Sequence, residues 1–173
     1  MTHSVASAPS PEGVNFADVE RDFVRARVYP EFSWRAYDTF SPLNPLRVPL
    51  EAARVAFVTT SGAHLADQAS FDIRAAGGDP SFRAFPSSTP MEQIHLSHRG
   101  YDTRRASADK NVVLPLDHLR AAAREGRIGG LTPTLYSFMG YIADTQPLLE
   151  ETAPAVAARL VSDNADLVLL APT

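Results

Sequence analysis

The richest run of reactive side chains is Ile94-His95-Leu96-Ser97-His98-Arg99-Gly100-Tyr101-Asp102, which holds imidazole, guanidinium, phenol and carboxylate groups together. Ile94 and Leu96 alternate with His95 and Ser97, the pattern of a half-buried strand. The ionisable groups after them fall where the chain must turn, and open α/β sheets place their ligands at such strand ends. His98 and Asp102 could form an acid–base pair in which the carboxylate sets the imidazole tautomer. A turn histidine capped by a nearby aspartate fits the same spacing equally well. Tyr101 could donate a hydrogen bond to developing negative charge, although packing with a wet hydroxyl is the commoner role of a loop tyrosine. Arg99 could grip a substrate carboxylate through two parallel hydrogen bonds, whereas Arg104 and Arg105 read as a solvated loop. His64, beside Gly62 at the end of another predicted strand, joins the set. The candidates are therefore His98, Asp102 and Tyr101 for chemistry, and His64, Gly62 and Arg99 for substrate binding. His64, His95 and His98 would suit zinc or iron by type, but their spacing matches no metal motif, and no metal is assigned.

The elements that must position these groups follow from periodicity. Arg54 to Thr60 is nearly continuous in apolar residues, as a central strand buried on both faces should be. It runs into the small-residue turn Ser61-Gly62-Ala63-His64, where a glycine permits close approach of a ligand or of backbone. This is not a phosphate loop, for it lacks the further glycines and the lysine. A loop is expected over residues 65–80, with Gly77-Gly78-Asp79-Pro80 as the turn signal. Ser81 to Phe85 alternates as a short strand. Asn111 to Leu114 reads either as a strand or as the lead-in to a helix that Pro115 opens and Gly126 stops. Ile128 to Leu131 is expected as a strand, and Tyr136 to Tyr141 as an aromatic loop that packs under a glycine hinge or lines a pocket. Asp144 to Asp163 has a helical pattern with Leu148, Leu149, Val156, Leu160 and Val161 on one side. Pro154 requires a kink there or a start near Thr152. Asp166 to Leu170 is a last apolar strand.

Strands separated by helical segments predict an α/β fold, a mostly parallel sheet with helices on both faces in a Rossmann-like three-layer arrangement. The sequence divides into a polar, proline-bearing tail over residues 1–13, expected to be disordered, a helix and Pro/aromatic-rich arm over 14–50, and the α/β domain over 51–173. In the second segment Asn15 caps a helix over Phe16 to Val28, with Phe16, Val19, Phe23 and Val24 on one face. The arm then carries Phe32, Trp34, Tyr37 and Phe40 among its prolines.

With 173 residues, 45% apolar and 21% charged, the chain has the composition of a globular domain. A formal net charge of -4 gives no electrostatic case for nucleic acid or an anionic membrane. No apolar run has the length of a membrane span, and no signal-peptide core is present, so a cytoplasmic location is expected. The chain has no cysteine, which excludes disulfides, thiolate metal sites and a cysteine nucleophile from these residues.

Five blocks carry a resemblance in order along the chain. They are Val58-Thr59-Thr60-Ser61-Gly62-Ala63-His64, Gly78-Asp79-Pro80-Ser81-Phe82-Arg83, Leu96-Ser97-His98-Arg99-Gly100-Tyr101-Asp102, Asp109-Lys110-Asn111-Val112-Val113-Leu114-Pro115-Leu116 and Tyr136-Ser137-Phe138-Met139-Gly140. Together they resemble the selenoprotein B family of the glycine, sarcosine, betaine and D-proline reductases, from about residue 50 onward and more loosely through the arm. The resemblance implies an oxidoreductase subunit that cleaves the carbon–nitrogen bond of a small amine or amino acid, with a dithiol as ultimate reductant. It also implies a selenocysteine or cysteine directly after the strand Asp166 to Thr173, with a cysteine two residues further on. A selenolate suits this work because it is ionised at neutral pH and leaves easily. A pyruvoyl group on a companion subunit would capture the amine.

This chain departs from that pattern in having no cysteine. The expectation is a chain truncated at a UGA selenocysteine codon after Thr173, which the downstream genomic sequence would check. A non-catalytic paralogue that binds a small ligand or a partner is the alternative. His64 and His98 are expected at the carboxyl ends of neighbouring parallel strands, sharing a cleft with Thr173 on its rim. The final strand, lacking a helix after it, should expose an apolar patch that favours homo-oligomers.

Overall fold

The computed structural model describes residues 13–27, 30–34 and 44–173. The chain divides into two compact units, Met1–Asn44 and Pro45–Thr173. Most of the tail, together with Val28, Tyr29, Tyr37 and Phe40 of the expected helix and arm, lies outside the described residues.

In the first unit Asn15 begins α1 (Phe16–Arg27), its carboxamide oxygen accepting from the Ala17 N–H at 3.2 Å. Trp34 returns to this helix, its indole N–H donating to the Ala17 carbonyl at 2.8 Å, and Phe32 packs edge-on against it. The predicted apolar face forms, yet Phe16, Val19 and Phe23 on it are more than half exposed.

The second unit is an α/β layer structure. β1 (Arg54–Thr59) is the interior strand that its unbroken apolar run demands, with Val55 to Thr59 buried. It is flanked on one side by β5 (Gly130–Leu131) and β6 (Thr134–Phe138), and on the other by β7 (Leu167–Ala171), all parallel to it. β3 (Phe82–Pro86) lies outside β6 and runs antiparallel to it. The main sheet is thus mixed but mostly parallel. A two-stranded antiparallel ribbon of β2 (Ala63–Leu65) and β4 (Ile94–Leu96) stands beside it, with His64 opposite His95.

Alternate residues of the central strands face opposite layers. Phe57 and Leu135 meet Leu114, Leu116 and Ile94, and this layer is covered by α3 (Leu116–Arg124) and the ribbon. Val58, Tyr136 and Phe138 meet Val156 of α4 (Ala153–Ser162) in the other layer. The three-layer α/β prediction holds.

Several local expectations change. Tyr136 to Phe138 is not a loop but part of β6. Aromatic and β-branched residues suit a pleat buried on both faces, and the buried Ser137 finds a use there by accepting the Ala63 N–H at 2.8 Å. Asn111 to Leu114 is the lead-in to α3 rather than a strand, with a 3₁₀ turn over Lys110–Val112 capped by the Asp109 carboxylate. α3 opens after Pro115 and ends near Gly126, whose φ of +69° is a left-handed turn suited to glycine. Pro154, which cannot donate a helical hydrogen bond, sits in the first turn of α4 after a π-helical turn over Leu148–Thr152. Leu148, Val156 and Leu160 pack inward as predicted, but Leu149 and Val161 face solvent. A short helix, α2 (Thr103–Ala108), follows the turn after β4. No described helix is long and apolar enough to cross a membrane.

β7 has the composition of an interior strand and the surroundings of an edge. Leu167, Val168 and Leu169 are 39%, 38% and 40% exposed, and Leu170 is 67% exposed. The apolar patch expected at the final strand is present.

Candidate functional site

The carboxyl ends of β1, β6 and β7 meet at one edge of the sheet, and the segment after β4 closes over them. Gly62 makes this closure possible. Its φ is +71°, and a Cβ there would collide with the carbonyl of Ser97, so only glycine lets the two segments touch. The Ser97 N–H donates to the Gly62 carbonyl at 2.9 Å, and the Gly62 N–H to the Phe138 carbonyl at 2.8 Å. The turn after β1 is thereby tied to both β4 and β6.

His98 sits on this base, nearly buried. The Gly100 N–H approaches its Nδ1 at 2.8 Å and the Gly140 N–H its Nε2 at 3.1 Å. A neutral imidazole can accept one of these bonds, whereas an imidazolium can accept neither. Burial also lowers the pKa of His98, so geometry and desolvation both favour the neutral ring. Tyr101 lies against it with ring centroids 4.5 Å apart, and its hydroxyl donates to the Ser61 carbonyl at 2.8 Å. Burial pushes the phenol up to about 12, which keeps it a protonated donor. Arg99 stacks over the ring of Tyr141 at 4.9 Å.

Polar groups crowd around Gly140 beside His98. At the point where a Gly140 Cβ would sit, the Thr173 carbonyl oxygen lies 2.7 Å away, His98 Nε2 3.0 Å and Thr60 Oγ1 3.2 Å. Thr60 Oγ1 also accepts the Thr173 N–H at 2.8 Å. An imidazole, a hydroxyl, a glycine amide and the backbone of Thr173 therefore converge. Next to them, the Ser61 hydroxyl is buried without a hydrogen-bond partner, a situation that costs about 1–3 kcal/mol unless something else satisfies it.

His98, Tyr101 and Gly62 thus come together as the sequence suggests, with Arg99 on the rim. Asp102 does not join them. Its carboxylate caps α2, accepting from the Arg104 N–H at 3.0 Å and Arg104 Nε at 3.1 Å. The hydrogen bonds from Arg104 lower its pKa. The acid–base pair with His98 is replaced by a helix cap, because an aspartate just before the first residue of a helix finds free N–H groups locally. His64 lies in the antiparallel ribbon, not at a parallel strand end. Its Nε2 is 2.9 Å from Ser97 Oγ and its Nδ1 3.0 Å from the Leu65 carbonyl, so it supports the residue before His98. His95 is exposed, and the described residues hold no group of three or more His, Asp or Glu fit for a metal ion. Thr60 and Gly140 escape a reading by motif. Their one sequence signal is a small residue directly beyond an apolar strand.

At the opposite end of the sheet, two open depressions flank the Ser87–Ser88 turn. Of the two arginines lining them, Arg120 is committed to the carbonyls of Ser87 and Thr89.

Residues 26–173 match the family model for glycine/sarcosine/betaine reductase selenoprotein B. The chain is 36% identical over 126 residues to the D-proline reductase subunit gamma of Acetoanaerobium sticklandii, covering 73% of this chain and 51% of that protein. It is 30% identical over 147 residues to the glycine reductase complex component B subunit gamma of Carboxydothermus hydrogenoformans, covering 83% and 33%. With the betaine reductase complex component B subunit beta of Peptoclostridium acidaminophilum it shares 36% identity over 76 residues, covering 44% and 17%. The chain spans about half or less of the length of these relatives. No solved structure shows significant similarity.

Proposed function

The chain belongs to the glycine/sarcosine/betaine reductase selenoprotein B family, and on that premise we propose that it is a subunit of a reductase for a small amine or amino acid. In the reaction a dithiol gives two electrons and two protons and becomes a disulfide. The substrate's carbon–nitrogen bond is replaced by one C–H and one N–H bond. The chain has no cysteine, so the selenolate or thiolate comes from polypeptide outside these residues. A companion subunit carrying a pyruvoyl group, as the family resemblance implies, would hold the amine.

The observation that supports the reading is the packing of His98 Nε2, Thr60 and the backbone of Thr173 around Gly140 at the carboxyl end of the sheet. A redox group presented beside this cluster meets a neutral imidazole held between two backbone N–H groups and a phenol that stays protonated. Arg99, exposed on the rim, is the guanidinium available to a substrate carboxylate. His64, Ser97 and Gly62 hold the His98 segment in place.

The test is reconstitution. The full chain, combined with its companion subunits and a dithiol, should consume one of glycine, sarcosine, betaine or D-proline and release the corresponding amine or ring-opened product. The chain alone should be inactive. Turnover unaffected by His98→Gln and Thr60→Val in a folded complex would remove these residues from the reaction. The absence of cysteine favours a second reading, a non-catalytic paralogue that binds a small ligand or a partner. Binding of one of the same compounds in calorimetry, without turnover in any reconstituted mixture, would select it.

A further inference from the structure

β7 is apolar on both faces and only partly covered on each. Its inner edge pairs with β1 from Val55 to Thr59, and among the described residues no strand pairs with its outer edge. Leu167 to Leu170 belong to neither core cluster, although β1, with similar chemistry, lies buried between both. Successive residues of a strand point to opposite faces. Exposure of all of Leu167, Val168, Leu169 and Leu170 therefore means that both helical layers stop short of β7, not that one helix is missing.

That geometry selects the occupant. A second copy joined edge to edge about a two-fold axis would satisfy the free backbone groups. It would bring the same uncovered strand, however, and leave both faces bare. The occupant must supply a strand for the edge and apolar cover for each face, which is the chemistry of further α/β units. The D-proline reductase relative matches this chain over only 51% of its own length, so a comparable length of that protein lies outside the match. We propose that the outer edge and both faces of β7 are the docking surface for a polypeptide equivalent to that unmatched part. It adds a strand to β7 and lays helices over Leu167–Leu170. The identity of the occupant rests on the reductase reading, while the exposed strand does not. Because Thr173 and His98 lie near the carboxyl end of β7, docking there also brings the added polypeptide beside the residues around Gly140.

The experiment mixes the purified full chain with the part of Acetoanaerobium sticklandii D-proline reductase subunit gamma that lies outside the match, made with cysteine at any selenocysteine. The relative's own matched part serves as a reference partner. An equimolar complex is expected by sedimentation, with amide exchange over Leu167–Ala171 slowed about ten-fold or more. The double variant Val168→Lys, Leu170→Lys, whose native residues are already exposed, should fold and fail to bind. A complex insensitive to these lysines would overturn the proposal, as would failure of either pairing. A dimer of the chain alone with β7 already protected would assign the surface to a second copy instead. Activity is scored separately: a lysine-sensitive complex that turns over no substrate sinks the reductase reading and leaves the docking surface standing.

Discussion

Two stretches of the same sheet edge, a few ångströms apart, are finished to different degrees. At β1 and β6 the carboxyl ends are roofed by the Ser97–Tyr101 segment, held by the Gly62–Ser97 contact, the Tyr101–Ser61 bond and the Gly140–His98 bond. At β7, strand-forming residues of the same apolar kind are partly exposed to solvent on both faces. The difference teaches that contacts among neighbouring segments cover the carboxyl ends of β1 and β6, whereas no described layer covers β7 to the same degree.

Truncating an aliphatic side chain in each region separates them most strongly. Leu135→Ala, in the fully buried part of β6, should cost about 3 kcal/mol of stability through lost transfer energy and a cavity. Leu169→Ala on β7 should cost under about 1 kcal/mol in the chain alone, since much of its surface already meets water. Urea denaturation compares the two, and equal losses would mean that β7 is covered after all.

Next in size is the roof itself. Gly62→Ala forces a Cβ against the Ser97 carbonyl at a left-handed φ and should lower stability by about 2–3 kcal/mol. Gly126→Ala, also left-handed but with open space around it, should cost about 1 kcal/mol. A thermal melt in which the two variants coincide would show that the Gly62–Ser97 contact is not holding the roof down.

The orphan hydroxyl gives a smaller effect of opposite sign. Ser61→Ala removes a buried polar group with no partner and should stabilise the chain by up to about 1 kcal/mol. A destabilised variant would show that the hydroxyl is hydrogen-bonded in solution.

The last test is the pH dependence of His98. Burial lowers its pKa in the folded chain, so the unfolded state binds the proton more readily. Its contribution is fully present above the unfolded value of about 6.5 and is lost as pH falls from there through the folded value. His98→Gln should flatten that part of the stability profile. Identical slopes for the two proteins between pH 7.5 and 5 would show that the imidazole titrates freely.

Much of this was legible along the chain because it is local. The apolar run of β1, the alternation of β3 and β4, and the Pro115 and Gly126 bounds of α3 are each written within a few neighbouring residues. Pro154 marked the start of α4 for the same reason. Asp102 was also legible, but as something else: a carboxylate directly before Thr103-Arg104-Arg105 is a helix cap, and the four-residue spacing from His98 drew attention to the wrong partner. β6 was missed because its serine and tyrosine interrupt the apolar pattern. Their partners, Ala63 for Ser137 and Asp163 for Tyr136, lie far along the chain and make those polar groups acceptable in a buried strand.

By itself the sequence determined the layer type, the family and the gathering of His98 and Tyr101 just beyond a strand. These follow from periodicity, turn chemistry and ordered motifs, all of which a linear string contains. The tertiary structure alone decided that β3 runs antiparallel, that His64 supports Ser97, and that Thr60, His98 and Thr173 crowd around Gly140. Those outcomes depend on which strands become neighbours and in what register. That choice is made by burying Phe57, Val58, Leu135 and Phe138 together across nearly eighty residues of sequence separation, a distance no local pattern records.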